Sequence, residues 1–176
     1  MNAIPDHSAL TSFSVDWDAI YAAVNAWRGE CMHHFSAVEL AVTKTLLALA
    51  EVRPDPSEIR LRHLIGQRFE DLPKAIGADG PFADAGKSAS DCLAKYRDRH
   101  EAFRTQLCHG HVLVSVARNG QWLMVLRTLS IRGRQAERAE FVIEQAAAAC
   151  RLEQLRRDGQ KLACLLGQVR KAAQKT

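Results

Sequence analysis

One apolar stripe governs how the first third of the chain can fold. Trp17, Ile20, Tyr21, Val24, Trp27, Cys31, Phe35, Val38, Val42, Leu46 and Leu49 recur every three or four residues. That spacing is one face of a single amphipathic helix, which Pro54 and Pro56 forbid from continuing. Ser14 or Asp16 is placed to cap it. Gly29, inside the stripe, is the expected point of a bend or break, since it costs about 1 kcal/mol relative to Ala. So long a stripe demands partners of similar length.

The rest of the chain supplies them. Ser57 and Glu58 open a second helix whose buried face is Leu61, Leu64, Ile65, Phe69 and Leu72, with Pro73 disturbing its end. Gly77 to Pro81 reads as a loop. A third helix starts near Asp84 or Ser88, carries Ala89, Cys92, Leu93, Tyr96, Phe103 and Leu107, and stops by Gly110. The period then changes. Two apolar runs, 111–117 and 121–127, flank Arg118-Asn119-Gly120, and Asn-Gly between such runs signals a β-hairpin. A two-residue turn at Asn119-Gly120 would pair Val116 with Leu123 and Val114 with Val125. Residues 134–172 read as a long basic helix with Val142, Ala146, Ala149, Leu152, Leu155, Leu162, Leu165 or Leu166, and Val169 as its stripe, and Asp158-Gly159 as its weak point.

The expected fold is therefore mainly α: an up-and-down bundle of four main helices with a β-hairpin at about 111–127 before the last one. Residues 1–13 are polar, lack periodicity and read as a loose arm; residues 14–176 form one helical domain. Neither hairpin face is polar, so one needs cover from the helices and the other from a loop or a second chain. The first and last helices each approach roughly 35 residues, long for a small domain. Helices that outrun their own bundle leave stripe uncovered, and homodimerisation covers it.

Charge and cysteines limit the function. The net charge of +4 is uneven: residues 1–56 carry −4, residues 57–127 +3 and residues 128–176 +5. The basic end is either a solvated helix face or a surface that attracts phosphates. The five cysteines have no paired short spacing, the start of the chain lacks a signal-peptide pattern, and no apolar run approaches a membrane span. A reduced, cytoplasmic protein without disulfides, and no membrane partner, is the expectation.

Chemistry concentrates where the third helix meets the hairpin, at Arg104-Thr-Gln-Leu-Cys-His109-Gly110. His titrates nearest neutrality and can move a proton; Arg offers a cationic fork for phosphate oxygens. Together they suit RNA self-cleavage, in which a base takes the 2′-hydroxyl proton and a cation stabilises the transition state. The other reading is a helix C-terminus whose cations favour the dipole. The same spacing recurs at Arg28 and His33, inside a helix, and is read as coincidence. Cys108, His109 and His111 are zinc-ligand types, but nothing completes the set, so neither metal nor cofactor is expected.

In this order of elements, with Arg104 and His109 near the end of a late helix, the chain resembles the HEPN superfamily of helical bundles. Phe35-Ser-Ala-Val-Glu39-Leu40 resembles that family's opening helix. The resemblance implies a dimer and a metal-independent endoribonuclease of toxin or defence type, acting on RNA with an antitoxin-like protein partner. Arg104 would hold phosphate, His109 would transfer protons, and Glu39 would orient Arg104. Thr105 departs from the Asn, Asp or His common after the motif Arg. The alternative is a non-catalytic dimeric interaction module of the same fold, binding a protein or nucleic acid. Five residues of regular helix turn a side chain by about 140°. Arg104 and His109 therefore meet only if the helix ends near Cys108 or if a second copy supplies one of them.

Overall fold

The computed structural model describes residues 15–53 and 59–175. The expected arm at 1–13 and the expected helix start at Ser57 and Glu58 lie outside them. Asp16 caps the first helix, α1 (Trp17–Glu51), by accepting a hydrogen bond from the Ala19 N–H at 3.0 Å. The helix runs unbroken through Gly29. From Val24 to Leu49, every residue of the expected stripe is buried. Trp17 and Tyr21, at its start, remain about half exposed.

The second helix, α2, spans Ile65–Ile76 and continues past Pro73. It begins later than its stripe suggests, and Leu61 and Leu64 are exposed rather than buried. The third, α3, spans Ala83–His109. Gly86 lets its first turns approach α2: a Cβ there would lie 2.3 Å from the Ile76 carbonyl oxygen.

Three strands follow, β1 (His111–Val116), β2 (Trp122–Arg132) and β3 (Gln135–Glu144), then the last helix, α4 (Gln145–Ala173). The sheet is antiparallel with order β1-β2-β3. Two expectations are corrected here. The helix expected from 134 begins only at Gln145, because residues 135–144 pair with β2 from Leu123↔Glu144 to Arg132↔Gln135. Gly133 (φ 53°) and Arg134 (φ 66°) make the tight turn that permits this pairing. Val142 thus lies on a strand, exposed, rather than on a helical stripe.

The register of the first hairpin is also one residue off the expectation. Val116 faces Trp122 and Val114 faces Met124. The turn holds three residues, not two: Gly120 donates to the Ala117 carbonyl at 2.9 Å, and Ala117 donates to that of Gln121 at 2.8 Å. Only Gly120, at φ 79°, takes the left-handed conformation, while the Asn119 side chain accepts from the Gln121 N–H. A one-residue shift changes which side chains share a face. Val112, Val114 and Val116 therefore join Trp122, Met124, Leu126 and Ile143 on the side facing the helices. Gly120→Ala has room for its methyl group but not the right backbone, and should cost about 1 kcal/mol in urea unfolding.

Contacts along the long helices fix their directions. Trp27 Nε1 donates to the Ala148 carbonyl at 2.8 Å, Gly159 faces Val38, and Arg170 reaches Thr45 Oγ1 at 2.8 Å. Residue numbers rise together, so α1 and α4 run parallel. Gly159 is no weak point: it lies inside α4, where a Cβ would sit 3.1 Å from Val38. Against α3 the order reverses, with Met32 meeting Cys108 and Glu39 meeting Arg104. The three long helices thus alternate in direction. Short α2 also opposes α3, since the Phe69 carbonyl accepts from Arg97 while Ile76 meets Gly86. The result is a mainly helical molecule of four helices and a three-stranded sheet placed before the last helix.

At the centre of the core stands Phe103. Its ring lies 5.9 Å from Phe35, 6.1 Å from Trp27 and 5.6 Å from Phe141 on the sheet, and Arg151 stacks over it at 4.9 Å. No helix among the described residues is long and apolar enough to cross a membrane.

Candidate functional site

Glu39 and Arg104, which the resemblance paired, meet in the structure. Glu39 lies on α1 one residue after buried Val38, and Arg104 follows buried Phe103 on α3. Arg104 Nε and Nη2 approach the same carboxylate oxygen at 3.0 and 2.9 Å. Both side chains are about three-quarters buried, so water screens the pair less than it would a surface pair.

His109 stands elsewhere. It is the last residue of α3 and exposed, and the helix stays continuous from Arg104 to it. Early helix termination, one of the two routes to convergence, is therefore not taken. Thr105 donates its hydroxyl back to the Glu101 carbonyl at 3.1 Å, a bond within the helix. Cys108 approaches the Met32 sulfur at 3.7 Å. Among the described residues no group of His, Cys, Asp or Glu is disposed to hold a metal ion.

Arg104 helps line a cavity between α1, α2 and α3 with Phe35, Glu39, Phe69, Tyr96 and His100. Its volume is about 50 Å³. That admits a few water molecules but falls far below the roughly 300–1,000 Å³ of ligand pockets. Burial, reinforced by the Glu39 charge, pushes the Tyr96 hydroxyl well above the usual phenol range. Tyr96 thus stays neutral.

Beside the cavity a polar knot joins α3 to α4. His100 is completely buried, and its Nε2 lies 2.8 Å from Asp158, which also accepts from Arg99 at 2.6 Å and Gln154 at 2.9 Å. Burial lowers the His100 pKa, partly offset by the Asp158 bond. Partial burial pushes Asp158 upward, but hydrogen bonds from His100, Gln154 and Arg99, with the Arg99 charge, outweigh it and hold the carboxyl at about 2. Neutral His100 accordingly donates from Nε2 to a carboxylate. Nothing in the sequence flagged His100, because its signal is burial rather than motif.

A larger, open cleft of about 430 Å³ lies along the sheet, bordered by His111, Arg127, Leu129, Arg138 and Glu140. Arg127 is already paired with Glu140 at 2.7 Å. The arginines of α4 also make contacts within the molecule, while Lys161 and Lys171 on the same helix are exposed. Arg151 stacks on Phe103, Arg156 and Arg157 reach Glu153, and Arg170 caps carbonyl and hydroxyl groups of α1.

Compared with known family models, curated proteins and solved structures, the chain finds no match.

Proposed function

We propose that this chain is a HEPN-like helical domain that serves as a non-catalytic module for binding a protein partner. One observation carries the reading: Arg104 is held by Glu39 at the wall of a cavity too small for a nucleotide, and His109 stands exposed five residues along a continuous helix. Arg104 and His109 of one chain therefore do not converge on one phosphate.

The ribonuclease reading, with Arg104 and His109 contributed across a two-fold axis, makes the opposite prediction in one assay. Purified protein incubated with single-stranded RNA in chelator should leave the RNA intact at any protein concentration. Arg104→Ala should instead register as a stability loss of about 1 kcal/mol in urea unfolding, the scale of a charge-assisted bond partly open to water. Metal-free cleavage that His109→Ala abolishes would overturn the proposal in favour of the enzyme.

A further inference from the structure

Among the described residues the sheet has two edges with no further strand, and they are built differently. The β3 edge carries Glu137, Arg138, Glu140 and Glu144, charges of the kind that discourage another strand from pairing. The β1 edge reads His-Val-Leu-Val-Ser-Val, with no Lys, Arg, Asp, Glu or Pro. It is hydrogen-bonded on one side only.

Which backbone groups face the open side follows from the ladder. Ala117 N–H bonds the Gln121 carbonyl, and in an antiparallel pair such positions alternate. Ser115, Leu113 and His111 thus turn their N–H and C=O towards β2, and Val112, Val114 and Val116 turn theirs outward. The side chains of these three valines point to the helix side of the sheet and are only partly buried, and no strand lies beyond them among the described residues.

We propose that a second copy of this chain occupies the β1 edge, pairing antiparallel about a two-fold axis at Val114. In that register Val114 faces the partner's Val114, and Val112 faces the partner's Val116. Each pair exchanges two backbone hydrogen bonds, and the two sheets become one of six strands. The edge is its own complement. Read in either direction it presents valine at each outward position, so self-pairing matches every donor with an acceptor and sets β-branched side chains opposite one another. A foreign strand could satisfy the same backbone groups, but only a second copy sets valine opposite valine at all three outward positions. The proposal stands on the sheet alone and does not depend on the function proposed above.

The experiment combines mass with amide exchange. By light scattering the wild-type chain should run at twice its 19.5 kDa. Hydrogen exchange should show the Val112, Val114 and Val116 amides protected along with those of the ladder. Val114→Pro removes an N–H that the ladder turns away from β2 and leaves without a partner among the described residues, and edge strands tolerate proline. It should halve the mass while retaining the wild-type circular dichroism. A wild-type mass of one chain would overturn the proposal. So would a dimer whose three outward amides exchange as freely as exposed ones, because that dimer uses another surface. The exchange measurement decides the matter on wild-type protein even if the proline variant fails to fold.

Discussion

Phe103→Ala should lower the unfolding free energy by about 3–5 kcal/mol, the range for truncating a buried aromatic. Phe103 is 2% exposed and joins α1, the sheet and α4 through Trp27, Phe35, Phe141 and Arg151. Removing the ring leaves a cavity bordered by three other rings, whose fixed shapes collapse poorly into it. It also strips the cation of its aromatic face. For a chain of this size the loss corresponds to a fall in Tm of roughly 6–20 °C. Val142→Ala, at an exposed sheet position, should stay within about 0.5 kcal/mol of wild type. Urea unfolding of the two variants checks the claim, and equal effects would mean that the core is not centred where the ring contacts place it.

The second large effect concerns Asp158. Asp158→Ala orphans the Nε2–H of a fully buried histidine and should cost about 2–3 kcal/mol at neutral pH. The pH dependence has a definite sign. The folded pKa of Asp158, about 2, lies below the ordinary value of 3.8, so its contribution is complete above that value and fades as pH falls towards 2. The folded pKa of His100 is also depressed, from 6.5. The unfolded chain therefore takes up this proton first, and stability declines as pH drops below about 6.5. Wild-type protein should lose stability in both windows, whereas Asp158→Asn should lose the lower one. An unchanged acid limb in Asp158→Asn would show that other carboxylates dominate there.

Helical stripes were legible wherever burial comes from one face of a long helix. The apolar positions of α1 from Val24 onward and most of those on α3 could be read directly, because their period is set by the backbone. β3 could not. Gln-Ala-Glu-Arg-Ala-Glu is helix-favouring composition, and the residues become a strand because β2 offers a ladder and Gly133-Arg134 a turn. Gly159 shows the same limit in reverse: its small size reads as weakness in isolation and as close helix approach once Val38 is opposite. At the candidate site, the Glu39–Arg104 pair was read from the family resemblance, in which Glu39 orients Arg104. The His100–Asp158 knot did not, since two polar residues 58 apart reveal their partnership only in three dimensions.

The parallel pairing of α1 with α4 also bears on how the chain is made. Emerging first from the ribosome, α1 must wait for a helix that is complete only about 120 residues later. At ordinary elongation rates that interval is on the order of ten seconds. Throughout it, the stretch from Trp27 to Thr45 lacks its lasting cover and is open to chaperones or to misassociation with other nascent chains. A translational pause before α4 would lengthen that exposure, and slower decoding of codons 145–173 should lower soluble yield without altering a single residue.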